Sequence, residues 1–222
     1  MKIVAIADIH GRLGQLKVAA DDLADADLVV LTGDITNFGG RAQAEDMVER
    51  IERHNPHILA VAGNCDYPEA EAYLAERGFN LHASHRSIGG LVFVGLGGSL
   101  PAPVPTPNVY DEAQLAAFLE SAMEDVDPSL PLILISHQPP KDTELDRIAN
   151  GDHVGSTRVR QFIEEHEPLL CLSGHIHEAA AIDRLGSTTL INPGPLHTGR
   201  YAAIEINGGL QSAAIRGAGN SR

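Results

Sequence analysis

The apolar residues of this chain fall into short solid runs. They read KIVAIA at 2–7, ADLVVLTG at 26–33, HILAVAG at 57–63, LPLILISH at 130–137 and PLLCLSGH at 168–175. Stretches between them, at about 12–25, 40–54, 68–77, 111–123 and 157–166, space their apolar positions as helices do. Near-continuous apolar strands separated by helices predict an α/β core whose sheet is covered on both faces. Two regions break the alternation. Residues 79–96 read as short strands turning at Gly89-Gly90. From about 179 to 215, strands with turns at Gly186 and Gly208-Gly209 either build a second sheet or extend the first. The segment GGSLPAPVPTPNVY at 97–110, stiffened by alternating prolines, is an ordered loop that either lies on the surface or rims a site.

At 222 residues the pattern suits a single domain over 1–216, with 217–222 as a flexible tail. No apolar run is long enough to cross a bilayer. Asp8 and His10 interrupt the first run too early for a signal peptide, so a cytoplasmic protein with no membrane partner is expected. The two cysteines, Cys65 and Cys171, form no CxxC pair, which argues against a disulfide framework or a thiolate zinc site. Cys171 within LLCLSG reads as a small buried apolar residue. A formal charge of −14 argues against a broad nucleic-acid or anionic-membrane surface, although nucleic acid stays possible as a substrate. Only Lys2, Lys17 and Lys141 are lysines, against thirteen arginines, a balance that fits either a high-salt habitat or a GC-rich genome.

The chemistry lies at the strand ends. The first run delivers Asp8 and His10, the second Asp34, the third Asn64, the run at 132–135 His137, and the run at 169–172 His175 and His177. Open α/β sheets bind ligands beyond the carboxyl ends of their strands, so these side chains are expected around one crevice. Each has an ordinary explanation alone: Asp34 and Asn64 as turn residues, His137 as a satisfied histidine. Those explanations do not account for every buried strand ending in a metal donor. Carboxylate, amide and imidazole donors without thiolate suit manganese, iron, zinc or related divalent ions. Seven donors exceed one tetrahedral site and suffice for two ions, which at about 3.5–4 Å apart clamp a phosphate and activate water.

The motifs DIH at 8–10, GD at 33–34, GNCD at 63–66, the lone His137 and GHIH at 174–177 resemble, in order and spacing, the calcineurin-like metallophosphoesterase superfamily. GGSLPAPVPTP, HQPPKDTELDRIANGDHVGS and INPGP further resemble its small prokaryotic Icc-like phosphoesterase branch. The resemblance implies a four-layer α/β/β/α sandwich and a dinuclear centre, manganese first with iron, zinc or nickel as alternatives. Asp8, His10 and His177 would hold one ion, Asn64, His137 and His175 the other, and Asp34 would bridge both. Asp34, Asn64 and His137 would thereby serve catalysis, an in-line attack on phosphorus by a metal-bound hydroxide. The substrate would be a small phosphate ester. Asn64, Arg12 and His153 are candidate substrate contacts, and His153 a candidate catalytic group. Ser156 reads as a helix N-cap. His54, His57, His82, His85 and His166 match no motif and default to the surface, and His197 lies just past INPGP without a role.

Cys65 is the departure. It stands where the superfamily often has a histidine paired with the next acidic residue, thought to protonate the leaving group. General-acid help is worth about 10²–10⁴-fold, so its absence should hurt poor leaving groups most and favour phosphodiesters. In this reading Cys65 is neither ligand nor redox centre, and Asp66 supports the turn. The rival readings are a metallophosphoesterase-fold scaffold that binds proteins without catalysis, and a nuclease. The sequence leaves the natural substrate and the oligomeric state open.

Overall fold

The computed structural model describes residues 1–217. Its strands are β1 (Lys2–Ile6), β2 (Leu28–Leu31), β3 (Ile58–Ala60), β4 (Ser84–Ile88), β5 (Leu91–Leu96), β6 (Leu132–Ser136), β7 (Leu170–Leu172), β8 (Ala181–Leu185), β9 (Thr188–Asn192), β10 (Arg200–Ile206) and β11 (Leu210–Gly217). The helices are α1 (Ala20–Asp25), α2 (Arg41–Glu52), α3 (Pro68–Glu76), α4 (Glu112–Ala122) and α5 (Thr157–His166).

The strands form two sheets, ordered β11-β10-β1-β2-β3 and β4-β5-β6-β7-β9-β8. This resolves the late strands: β8 and β9 extend the second sheet, while β10 returns to pair antiparallel with β1. Within the sheets, β1, β2 and β3 run parallel, as do β5, β6, β7 and β9. The Gly89-Gly90 turn, both residues at positive φ, closes the β4–β5 hairpin with Ile88 opposite Leu91.

Alternation along β1 shows why both faces are covered. Ile3 and Ala5 pack against Phe93, Ile133, Ile135 and Leu172 of the facing sheet. Val4 and Ile6 point the other way, into a core shared with Leu23 of α1, Met47 and Ile51 of α2, and Tyr73 and Leu74 of α3. The outer face of the second sheet packs Val92, Val94, Leu134 and Cys171 against Leu115 and Leu119 of α4 and Val159 and Phe162 of α5. The layers are therefore α/β/β/α, as expected, and Cys171 is a fully buried member of the outer core.

Four helices begin and end within about two residues of the expected bounds, helped by local chemistry. Asp111 and Gln114 form a reciprocal capping box on α4, and the Ser156 hydroxyl accepts from Arg158 and Val159 N–H at the start of α5. The stretch at 12–25 differs. It is irregular to Gln15, then a 3-10 turn at Leu16–Ala19, then the short α1. The backbone of 8–11 is tied to the loop after β2, by His10 N–H to Asp34 O (2.8 Å) and Gly11 N–H to Ile35 O (3.0 Å), so no helix starts there. Gly217 pairs with Arg200 as the last residue of β11, and 218–222, the rest of the expected tail, lie outside the described residues. Among the described residues no helix is long and apolar enough to cross a membrane.

Phe93 has no exposed surface between the sheets. Phe93→Ala should cost about 3–5 kcal/mol in urea denaturation, whereas Ile182→Ala on the exposed face of β8 should change stability by less than about 0.5 kcal/mol.

Candidate metal centre

The parallel strands bring their carboxyl ends to one edge of the sandwich, and the loops there carry the polar residues of the motifs. Their backbones are unusual. Asp8, His10, Asp34 and His175 all have positive φ, between 46° and 69°, a conformation that costs energy outside glycine. Two motif glycines are required by close approach. A Cβ on Gly33 would lie 2.3 Å from His137 Nδ1, and one on Gly63 would lie 2.1 Å from the Asp34 nitrogen.

The donor atoms face one another. His137 Nδ1 lies 2.8 Å from the Thr32 carbonyl, which can only accept, so this nitrogen carries the proton. Its Nε2 is then a bare lone pair, 2.9 Å from Asn64 Oδ1 and 3.6 Å from Asp34 Oδ1. The other Asp34 oxygen, Oδ2, is 3.4 Å from His10 Nε2, which is 3.0 Å from His177 Nε2. His177 Nε2 is 3.8 Å from Asp8 Oδ1, and Asp8 Oδ2 is buried without any hydrogen-bond partner. The His175 ring lies 5.1 Å from that of His137, and its backbone N–H donates to Asp8 Oδ1 (3.0 Å). The His137 Nε2 lone pair facing the Asn64 and Asp34 oxygens, with an Asp8 oxygen buried without a donor, is the chemistry of a cation site, and a ring N–H fixed by a backbone carbonyl is the usual support of a ligating histidine.

Among the described residues, three sets could hold an ion with ligand atoms mutually within 4.8 Å: Asp8, His10 and His177; Asp8, Asp34 and His137; and His10, Asp34 and Cys65. The last set puts the Cys65 thiol within ligand reach, a proximity the sequence reading did not foresee. Burial, then the Asp34 charge, pushes that thiol well up, which keeps it protonated.

Burial sets the remaining protonation states. It lowers His137 and His175 to about 3, so both are neutral imidazoles, and it lowers His10 and His177 as well. The carboxyls move up. Burial raises Asp34, and burial with the Asp34 charge raises Asp8. The same two causes lift Asp66 to about 7, against the N–H groups of Gly63 and Thr36 that hold it down.

Several supports lie outside the motifs' ligands. Asp66 accepts from Gly63 N–H (2.8 Å), Ile35 N–H (3.2 Å) and both the N–H and hydroxyl of Thr36 (2.7 Å each), welding the loops after β2 and β3. Asn108, at the end of the proline-rich segment, donates to the Gly63 carbonyl, and its N–H bonds the Asn64 carbonyl. Asn192 at the end of β9 donates to the Ile176 carbonyl, between His175 and His177. Asn108 has only its place after the prolines to mark it, whereas Asn192 is the asparagine of INPGP, a stretch to which the sequence assigned no role.

The candidate substrate contacts fare differently. Arg12 is exposed and close enough to lower His10. His153 turns its Nδ1 to buried Asp146 (2.7 Å), which raises its pKa, and its charged neighbours are Asp142, Asp146 and Arg147 of its own loop. His197 is exposed beside the centre, its ring 6.4 Å from that of His177. His54, His57 and His166 are exposed, and His85 half-buried. His82 departs from its surface default. Its ring stacks on Tyr110, meets Phe118 edge-on and accepts from Gly97 N–H.

Residues 1–179, which contain all seven donors, match the family of calcineurin-like phosphoesterases. The chain belongs to that family. It is therefore a hydrolase of phosphoric esters. The chain is 36% identical over 202 residues to an uncharacterised protein of Methanocaldococcus jannaschii, covering 88% of each chain. It is 28% identical over 200 residues to a probable cyclic nucleotide phosphodiesterase of Synechococcus, covering 88% of this chain and 74% of that one. Among solved structures, a protein of Thermus thermophilus superposes with a TM-score of 0.72 at 19% identity, over 97% of this phosphoesterase and 98% of that chain. That likeness concerns the fold.

The raised carboxyls give a pH test of metal loading. An acid whose folded pKa exceeds its unfolded value of 3.8 makes the metal-free fold less stable as pH rises from that value through the folded one, for Asp66 about 7. A cation removes that penalty. The rise in Tm on adding manganese should therefore grow between about pH 5.5 and pH 8, by calorimetry, and a rise that shrinks over this range would contradict the site.

Proposed function

We propose that this phosphoesterase binds two divalent cations, manganese foremost, and hydrolyses phosphodiesters in preference to alkyl monoesters. The observation that carries the dinuclear reading is Asp34. Its two oxygens face different histidines, Oδ2 toward His10 and Oδ1 toward His137, which puts this one carboxylate within reach of both ligand sets. Asp8, His10 and His177 would hold one cation, and Asn64, His137 and His175 the other. All seven positions offer competent donors, which favours an enzyme over a protein-binding scaffold. Bound there, two such ions supply positive charge to phosphate oxygens and lower the pKa of water toward about 7.

The chain's own groups do the positioning. Cys65 N–H donates to Asp34 Oδ1 (2.8 Å) and keeps that oxygen turned inward. The Thr32 carbonyl holds the His137 tautomer. Asn64 presents its carbonyl oxygen to the centre while its amide NH₂ donates to Cys65 Sγ (3.5 Å), which leaves the second N–H for a phosphate oxygen. Arg12, exposed beside His10, would meet the phosphate from solvent.

The diester preference rests on Cys65. A buried thiol held protonated, next to Asn64, offers no imidazolium to protonate an alkoxide. His153 is engaged with Asp146 through Nδ1 and is the weaker candidate for that proton. Phenolic leaving groups, in aryl diesters and aryl monoesters alike, depart without that proton and suffer less. The Synechococcus relative, named a probable cyclic nucleotide phosphodiesterase, fits this direction. A small ester in the cytoplasm is the substrate we favour over nucleic acid, given the charge of −14.

With manganese present, kcat/KM for bis-p-nitrophenyl phosphate should exceed that for glycerol phosphate by about 10²-fold or more; rapid glycerol phosphate hydrolysis would refute the preference. Cys65→His should raise alkyl monoester turnover by about tenfold or more, and no change would mean that another group supplies the proton. Protein stripped of metal should be inactive; full activity after stripping would overturn the dinuclear reading.

A further inference from the structure

We infer that Phe38 and Tyr67 form a stacking rim that selects phosphate esters carrying a planar aromatic ring, resting on the reading that the donor cluster takes the ester's phosphate. The chain has five Phe, four Tyr and no Trp. Only two of these aromatics are exposed, Phe38 at 45% and Tyr67 at 41%. Both sit on the loops that deliver the donors: Phe38 is four residues beyond Asp34, and Tyr67 three beyond Asn64. An aromatic ring left in water on a site loop is a candidate binding surface, since the other seven Phe and Tyr rings of this fold are buried or half-buried.

The two loops are held together and held still. Tyr67 N–H donates to the Gly39 carbonyl (3.2 Å), the residue after Phe38. Asp66, next to Tyr67, takes the N–H and hydroxyl of Thr36. The Thr36 hydroxyl and Gly39 bond each other across Phe38, and Asn37 N–H is anchored on Gln43. The Phe38 backbone itself is at φ +54, a conformation that a bulky side chain rarely adopts. This fixed, outward presentation costs energy and leaves nearly half of Phe38 in water, so core packing alone does not explain it.

The surroundings point the same way. The other exposed large apolar residues among those described are Val104, Val109, Val154 and Ile182. The first three lie on loops leaving the same carboxyl edge, after β5 and β6, and Val109 follows Asn108, which braces the Asn64 turn. Ile182 alone lies elsewhere, on β8. A polar, donor-rich centre thus sits within loops that expose five large apolar side chains, with Arg12 as a nearby cation. Two rigid rings favour a flat aromatic group over a flexible acyl chain, since stacking needs a planar partner. Nucleoside phosphates and aryl phosphates share that chemistry.

The test compares ligands with the same phosphate and different organic parts, on manganese-loaded protein. Equilibrium binding of AMP against ribose 5-phosphate isolates the ring without any need for turnover. AMP should bind about tenfold more tightly, the scale of one base stacked on an aromatic side chain. Phe38→Ala and Tyr67→Ala should each collapse that ratio toward unity, Phe38→Tyr and Tyr67→Phe should keep it, and Ile182→Ala should leave it as in the parent. Equal affinities of AMP and ribose 5-phosphate would overturn the proposal. So would a ratio untouched by both alanine variants, or a larger gain from an acyl chain, measured as lysophosphatidic acid against glycerol 3-phosphate. Hydrolysis assays separate the two readings: inactivity on every ester would count against the phosphoesterase chemistry while leaving the binding ratio to judge the rim.

Discussion

The hydrogen bond from His137 Nδ1 to the Thr32 carbonyl organises this molecule's chemistry. It crosses from the end of one sheet to the end of the other, over 105 residues of sequence. It fixes the tautomer of a fully buried imidazole and so decides that Nε2 meets Asn64 and Asp34 as a lone pair. The glycine beside Thr32 follows from the same contact, because any side chain on Gly33 would collide with the ring. Gly63 is constrained likewise by Asp34, so the glycines of the GD and GN pairs are conditions of close approach.

Around that contact the fold concentrates cost. Four donor residues take left-handed backbone conformations, three carboxyls are pushed toward their neutral forms, and one Asp8 oxygen is buried without a partner. None of this stabilises a metal-free protein. The α/β/β/α layering bears the cost, with three separate apolar cores locking both sheets and both helical layers. A rigid scaffold with a strained, charge-dense edge is the arrangement expected where cations and a phosphate complete the electrostatics.

Support for the centre comes from residues that touch no candidate ion. Asp66 ties the loop of Asp34 to the loop of Asn64, Asn108 braces the Asn64 turn from the proline-rich segment, and Asn192 fixes the peptide between His175 and His177. The proline-rich segment thereby acquires a structural purpose: it bends back on itself and returns Asn108 to the mouth of the site, where Ser99 pairs with Asn108 and Tyr110 through backbone hydrogen bonds that close its base. Cys65 changes meaning in this setting. Its backbone N–H holds Asp34, while its thiol lies within reach of His10 and Asp34 yet is kept protonated by burial and by the Asp34 charge.

The sequence by itself determined the class of fold, the strands, four of the five helices, and the seven polar residues waiting at strand ends. Period and strand length are local properties, and motif spacing along the chain survives without coordinates. It did not determine where the late strands went, because β8–β9 and β10–β11 carry the same hairpin pattern and only pairing partners tell them apart. It missed the break at 12–15, where backbone bonds to residues 34 and 35 override a helical pattern. It placed His82 on the surface because nothing local reveals the Tyr110 and Phe118 rings that enclose it. Tertiary structure alone decided that Asp34 turns one oxygen to each of two histidines, that His153 belongs to Asp146, and that the chain's two exposed aromatics stand on the loops of the site. Those facts depend on which side chains share a few ångströms of space, and contact across a hundred residues leaves no mark on the sequence between.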